Sequence, residues 1–158
     1  MNNFIRVFGS GPLGVLLTLG LLGLAWWCRG HYPSGTLGLS PFARYLVLIL
    51  AGVGNLAGVV WSFQSLPVSQ RGRGLCTQGA YRWVRHPLYA SFISLGAPGF
   101  AVFLNHWIYF LWVVALHLLW HFVIAFEEKD LVAQFGNKYL VYAKQTGRFV
   151  PRLWKNGA

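Results

Sequence analysis

The sequence predicts an all-α integral membrane protein, a single membrane domain (1–158) with four transmembrane helices. Of its 158 residues, 56% are hydrophobic and only 10% are charged, whereas soluble domains average about 25% charged residues. Four apolar stretches approach the roughly 20 residues that a helix needs to cross the hydrocarbon core. The clearest, 107–126, contains no Asp, Glu, Lys or Arg.

The first two predicted spans cover residues 10–28 and 45–66. The first is uncharged and ends in Trp26-Trp27, which is typical of an aromatic anchor at the membrane interface. Its length favours a retained span over a removed signal peptide. The second span contains Gly54 and Gly58, whose spacing is typical of a small-residue face that packs against another helix.

The last two predicted spans cover residues 88–105 and 107–126. Pro98 lies inside the third span and predicts a kink, because proline lacks a backbone donor and clashes with the preceding turn. Only Asn105 and His106 separate the two apolar stretches. We therefore expect a tight turn there and an antiparallel helical hairpin.

The basic residues predict the orientation of the chain. Eleven Lys and Arg residues flank the spans on one side of the predicted topology, and two lie on the other side. The positive-inside rule places the N-terminus, the loop 67–87 and the tail 127–158 in the cytoplasm, so both termini are cytoplasmic. For a bacterial source, the inner or plasma membrane is expected. The eleven are Arg6, Arg71, Arg73, Arg82, Arg85, Lys129, Lys138, Lys144, Arg148, Arg152 and Lys155.

The formal net charge of +10 restricts the class of partner. The basic residues are spread along apolar segments and no nucleic-acid recognition motif accompanies them, so no nucleic acid is expected as a partner. Anionic membrane lipids are the predicted counter-charge. The tail segment 128–144 mixes apolar residues with Lys and Gln, which predicts an amphipathic interfacial helix with a break near Gly136-Asn137.

A basic segment precedes the third span. In Arg85-His86-Pro87, proline favours the first helical turn and keeps His86 extended, so Arg85 and His86 are predicted on a loop at the membrane edge. A guanidinium matches a carboxylate or phosphate with its planar fork. Arg85 taken alone also fits a simple positive-inside anchor, and both interpretations stay open at this point.

The only three acidic residues lie within four positions, at Glu127, Glu128 and Asp130. A carboxylate pair at the end of a span is costly to desolvate, which indicates a binding site or an ion pair. We expect Glu127 and Glu128 at the end of their helix, because neighbours point about 100° apart and share a pocket only there. A site would bind a cationic, hydroxyl-bearing ligand. The structural alternative is an ion pair with one of Arg73, Arg82 and Arg85.

Metal and redox chemistry are not predicted. His117 and His121 share a helix face at a spacing that can hold a metal, but no third ligand is evident at that depth. Hydrogen bonding between helices is the interpretation we favour for them. Cys28 and Cys76 show no metal or redox spacing and are predicted on opposite sides of the membrane.

Three features together resemble the isoprenylcysteine carboxyl methyltransferase family. They are the segment 77–89 with its Arg-His-Pro sequence, the apolar hairpin that ends in Glu127-Glu128, and the tail pattern from Phe135-Gly136 to Pro151. The resemblance covers roughly residues 45–152. Phospholipid N-methyltransferases belong to the same broad group. Ser91 replaces a glycine that is common in the family, so a wider helix approach is expected there.

The resemblance implies S-adenosylmethionine as methyl donor, bound at the cytoplasmic membrane face. By position it places five residues around the donor: His86, Pro87, Tyr89, Glu127 and Glu128. It places Arg148 on the acceptor side, as the candidate catalytic residue. We add that Arg85 binds the donor's carboxylate. One of Tyr81, Trp83 and Tyr89 is expected to stack on adenine or to face the sulfonium by a cation–π contact.

The acceptor stays open. The expected partner is a lipid-like or lipidated molecule with a prenylcysteine-type carboxylate or another membrane-borne nucleophile; a phospholipid headgroup amine is the alternative. A nicotinamide-dependent reductase would need more basic groups and no acid pair. A non-enzymatic four-helix scaffold or small transporter predicts an ionisable residue in mid-membrane, where only His117 and His121 qualify. The sequence leaves the oligomeric state undetermined.

Overall fold

A computed structural model describes residues 11–70 and 73–152. Their helices are α1 (Gly11–His31), α2 (Pro41–Ser65), α3 (Pro87–Phe103), α4 (Ile108–Phe135) and α5 (Asn137–Gln145). Short 3₁₀ turns lie at Val68–Gln70 and Gly79–Arg82, and the described residues contain no strand. The all-α prediction is confirmed for this part of the chain. Four positions used in the predictions lie outside the described residues: Arg6, Ser10, Arg71 and Lys155.

Three of the helices, α1, α2 and α4, are long and apolar enough to cross a membrane. The third predicted span corresponds to α3, which is apolar but runs only from residue 87 to residue 103. Seventeen residues in an α-helix extend about 26 Å, slightly less than a hydrocarbon core of about 30 Å. The fold therefore supports three spans by length, and the fourth stays a prediction.

The α3 helix is not regular. It is α-helical at Pro87–Ala90, forms a π turn at Ser91–Gly96 and is α-helical again at Ala97–Phe103. The π turn comes just before Pro98, whose missing amide cannot serve the carbonyl one turn earlier. Such π turns interrupt α-helices in single turns. The interruption lies where the sequence predicts a kink.

The α4 helix corrects one expectation. It does not end near Phe126 but continues to Phe135, because no Gly or Pro interrupts the good helix formers of this segment. Gly136, with φ of 56°, ends it and α5 follows, so the chain breaks where the sequence predicts. Glu127 is therefore not at a helix end, and the helix predicted from Glu128 is the last part of α4 followed by α5.

The α4 helix is also the centre of the packing. In the most apolar segment of each helix, 39% of α4 is buried inside the structure, compared with 11% of α1 and 6% of α2. A Cβ at Gly14 of α1 would lie 2.6 Å from the Trp120 ring of α4, so the glycine permits the close approach. The Trp120 indole donates a hydrogen bond to the Thr18 hydroxyl at 3.0 Å, which fixes α1 on α4.

On the other side of the bundle, α2 packs against α3 through small residues. A Cβ at Gly58 would overlap the Ser91 side chain, and a Cβ at Gly99 would overlap Ala51. The helices thus approach closely at Ser91, and the expectation of a wider approach there is wrong because Gly58 leaves room opposite. The predicted small-residue face packs within the chain at this point.

The turn 104–107 joins α3 to α4 and fixes the loop between α1 and α2. Asn105 adopts φ of 55°, and its side-chain oxygen accepts a hydrogen bond from the Leu39 amide at 3.2 Å. His106 is 1% exposed, and its Nε2 bonds to the Tyr32 carbonyl oxygen at 2.7 Å. Both polar side chains therefore brace this end of the bundle.

The close contact at Gly99 can be tested. Gly99→Ala forces its new methyl group into Ala51, and overpacking of this kind costs typically about 1–3 kcal/mol. We expect the thermal unfolding temperature in detergent to fall by several degrees. Gly52→Ala, in α2 with open space at its Cβ, is the control and should be neutral or slightly stabilising. Equal unfolding temperatures for the two variants would contradict the packing described.

Candidate active site

The loop that leads into α3 forms the first wall of the site. Its turn begins at Gly79, with φ of 57°, and the Ala80 amide donates to the Ser65 hydroxyl at 2.9 Å, which ties the loop to α2. Pro87 begins α3, and His86 before it is non-helical with φ of −128°, as the sequence predicts. The His86 side chain is 6% exposed, so the loop presents it to the interior.

The acid pair of α4 meets this histidine. The His86 Nε2 atom lies 3.3 Å from Oε1 of Glu128, and its Nδ1 atom lies 3.9 Å from Oε1 of Glu127. The two carboxylates point in different directions from the helix, and the imidazole lies between them. The loop and α4 are thus joined at the cytoplasmic end of the predicted topology.

Glu128 is enclosed by cations. Arg85 Nε donates to its Oε1 at 2.8 Å, and Arg148 donates to its Oε2 through Nε at 2.9 Å and Nη2 at 2.6 Å. The Glu128 side chain is 11% exposed, so these are charge-assisted bonds in a largely desolvated place. The predicted pairing with Arg85 is present, whereas the pairing with Arg148 was not foreseen.

Residues 146–149, called the strap below, lie along the loop. The Arg85 amide donates to the Gly147 carbonyl at 2.8 Å, and the His86 amide donates to the Arg148 carbonyl at 3.2 Å. A Cβ at Gly147 would overlap the Val150 carbonyl oxygen, so glycine permits the tight turn that brings Arg148 back. The strap therefore sets the position of Arg148 against α4.

Arg85 also binds the end of α5. Its Nη1 donates to the Ala143 carbonyl at 2.9 Å and to the Thr146 carbonyl. With its bond to Glu128, this makes Arg85 a link between α4, α5 and the loop. These contacts favour a positioning role, and its predicted contact with the donor's carboxylate stays a prediction.

Two buried tyrosines of α5, Tyr139 and Tyr142, border the site. Tyr142 donates its hydroxyl to the Tyr81 carbonyl at 2.6 Å. Tyr139 is 2% exposed. Burial raises the pKa of both phenols, and the Glu128 charge adds to the rise at Tyr139. Both phenols therefore stay protonated at neutral pH and can donate hydrogen bonds.

Aromatic rings border the acid pair. The Tyr89 hydroxyl donates to Glu127 Oε2 at 3.5 Å, and its ring lies 4.7 Å from the Trp120 ring. On the strap, the Phe149 ring lies 6.3 Å from the His86 ring. Glu127 is 26% exposed, more than twice its neighbour. Glu127 therefore places an accessible carboxylate beside the Tyr89 and Trp120 rings.

The structure brings most of the predicted site residues into one cluster: Arg85, His86, Pro87, Tyr89, Glu127, Glu128 and Arg148. Tyr81 contributes its carbonyl oxygen, and its predicted stacking role stays a prediction. Sequence reasoning missed the roles of Phe149 and Gly147. A single phenylalanine in an apolar-rich chain carries no signal, and a single glycine in the tail does not indicate which segment it brings back onto the loop.

The structure also shows the contacts of the histidines and cysteines discussed in the sequence analysis. His117 bonds to the backbone of Ile93 and so links α4 to α3, whereas His121 Nδ1 bonds to the His117 carbonyl in its own helix. Within the described ranges no three His, Cys, Asp or Glu residues form a metal-binding group. Cys28 and Cys76 are free thiols.

Comparisons with known proteins identify the family of the chain. The model of the isoprenylcysteine carboxyl methyltransferase (ICMT) family matches residues 43–133. The chain is similar to methanethiol S-methyltransferase 2 of Bradyrhizobium diazoefficiens, with 34% identity over 83 residues. That match covers 52% of this chain and 31% of the relative, so the chain spans about a third of the relative's length. No solved structure matches the chain.

The enclosure of Glu128 predicts a stability difference within the acid pair. Glu128→Gln leaves two partly buried guanidinium groups without their counter-charge, which costs on the order of 3 kcal/mol of unfolding free energy. Glu127→Gln removes the same charge one residue away, where exposure is greater, and should cost less than about 1 kcal/mol. Denaturation in detergent micelles measures both. An equal loss in the two variants would contradict a structural role special to Glu128.

Proposed function

The chain belongs to the isoprenylcysteine carboxyl methyltransferase family, and on this premise we propose that it is an integral membrane methyltransferase. The proposed methyl donor is S-adenosylmethionine, and the proposed acceptor is a lipid-like molecule that carries a nucleophile, such as a prenylcysteine-type carboxylate. The observation that carries the proposal is the junction of His86 with Glu127 and Glu128, closed by the strap.

The residues present fit such a donor. S-adenosylmethionine supplies an electrophilic methyl group on a sulfonium, and it also carries an ammonium group and a ribose diol. Glu127 is the more exposed carboxylate of the pair and suits the ammonium group or the diol. The Tyr89 ring beside it suits the sulfonium through a cation–π contact.

The two acids then have different roles. Glu128 already binds Arg85 and Arg148, so it acts as a positioning residue that holds the loop and strap on α4. Glu127, the more exposed acid of the pair, is the proposed carboxylate for the donor. This division is consistent with the helix geometry, because adjacent side chains point about 100° apart.

When bound, the donor would supply its methyl group to the acceptor's electron pair by in-line displacement, and the carbon–sulfur bonding pair would stay on sulfur in the neutral thioether product. Such a step needs mainly alignment and exclusion of water. Buried His86 and the Tyr89 and Phe149 rings exclude water from one side, while Arg148 is the proposed contact on the acceptor side.

The acceptor chemistry decides whether a base is needed. A carboxylate or a thiolate attacks without further proton transfer, whereas an amine must first lose a proton, which Glu127 could accept. The name of the relative indicates methanethiol as its acceptor, so a small thiol is the second candidate acceptor. A phospholipid headgroup amine is less favoured.

Donor binding is the first test of this function. We expect S-adenosylmethionine and its demethylated product to bind saturably to the detergent-purified chain in calorimetric titration. Glu127→Gln should weaken donor binding at least tenfold, about 1.4 kcal/mol. Asp130→Asn is the matched control, since it removes one exposed acid from the same helix, and it should leave binding unchanged. Absence of saturable binding to the unaltered protein would overturn the proposal.

The acceptor is tested by transfer of an isotopically labelled methyl group. We expect transfer to a farnesylated cysteine derivative with a free carboxyl group, at a rate that is flat above about pH 6, because the carboxylate is already ionised. A rate that rises with pH toward the thiol or amine pKa would indicate those acceptors instead. Transfer to methanethiol alone would replace the lipid-like acceptor by a small thiol and leave the methyltransferase assignment intact.

A further inference from the structure

A second face of α5 borders a cavity of about 700 Å³. Lys138, Val141, Tyr142 and Gln145 line it, and these positions share one helix face at spacings of three and four. Tyr139, which the site uses, lies on a different face. The opposite wall comes from the segment 75–82 of the loop. Tyr142 and Thr146 line this cavity and also border the acid cluster, so the cavity lies next to the site on the cytoplasmic side of the predicted topology.

The charged residues that line this cavity are all basic. Arg82 and Lys138 line it, and its lining contains no carboxylate. Among residues 11–70 and 73–152, no protein group forms a hydrogen bond or ion pair with either side chain. Arg85 and Arg148, by contrast, are both held on Glu128. Two cations that face one cavity without an internal counter-charge favour an external anion.

The remaining lining suits a phosphate group with an apolar attachment. Thr77 and Asn137 add a hydroxyl and an amide that can donate hydrogen bonds. Asn137 is also the first residue of α5. Leu75 and Val141 provide apolar surface beside the cations. Hydrogen-bond donors and apolar surface therefore occur side by side. This combination suits a phospholipid, in which a phosphate group is joined to an apolar part.

We propose that this cavity binds the phosphate group of an anionic ligand, either a membrane phospholipid or free phosphate. The shared chemistry is a phosphate held by Arg82 and Lys138, with hydrogen bonds from the neighbouring hydroxyl and amide groups. A guanidinium and an ammonium are the side chains that bind phosphate in proteins. The proposal does not depend on the methyltransferase assignment, since neither Arg82 nor Lys138 is among the residues proposed to bind the methyl donor.

The test is a titration of the full chain, released from detergent into a native mass spectrometer, with dioctanoyl phosphatidylglycerol. We expect one saturable binding event per chain. The double variant R82Q/K138Q should weaken that event at least tenfold. The control K129Q/K144Q removes the same charge from two exposed side chains outside the cavity and should change the affinity less than twofold, about 0.4 kcal/mol.

Two measurements on the unaltered protein keep the proposal open to refutation even if the double variant folds poorly. Dioctanoylglycerol, which lacks the phosphate, should not bind; binding equal to that of the phospholipid would overturn the proposal. Inorganic phosphate identifies the source: displacement of the phospholipid by phosphate indicates a free-phosphate site, and persistence of the phospholipid indicates a lipid site.

A further comparison of variants distinguishes the proposed phosphate site from the proposed donor site. R82Q/K138Q should bind S-adenosylmethionine as the unaltered protein does, while Glu127→Gln should bind the phospholipid normally. Loss of donor and phospholipid binding together in R82Q/K138Q, at an unchanged unfolding temperature, would assign the cavity to the donor site and overturn the phosphate proposal. An equal loss of phospholipid binding in K129Q/K144Q would reduce the effect to overall charge and overturn it as well.

Discussion

The carboxylate of Glu128 holds together three segments that lie far apart in the sequence. It accepts hydrogen bonds from Arg85 on the loop and Arg148 on the strap, and His86 lies within 3.3 Å of the same group. Without this acid, two guanidinium groups and an imidazole would face one another in a poorly solvated place. In a chain of net charge +10 with three acidic residues, few other carboxylates could take its place.

This constraint explains why the acid pair does not need a helix end. On a continuous helix, Glu127 and Glu128 diverge, and a single ligand could not be held by both in the same way. The chain instead places His86 between them and gives each a separate environment. Glu128 is enclosed by guanidinium groups, while Glu127 lies beside the Tyr89 ring with more access to water. On the proposed function, one acid builds the site and the other binds.

Local patterns in the sequence predicted the apolar helices and the Pro87 helix start, whereas the meeting of His86 with the acid pair was implied by the family resemblance. They did not predict that α4 passes Phe126, because a boundary drawn from hydropathy marks the edge of the apolar stretch and not the end of the helix. Nor did they predict Arg148 as a partner of Glu128. That contact depends on the chain reversing at Gly136 and turning tightly at Gly147, which no local pattern specifies.

The distribution of positive charge follows from the same constraint. Glu128 fixes two arginines, whereas Arg82 and Lys138 face a cavity without a carboxylate. If the predicted orientation holds, this cavity opens toward the anionic leaflet, whose field acts within a Debye length of about 8 Å. An anion bound there would lie against α5, the helix that also carries the carbonyl accepting from Arg85.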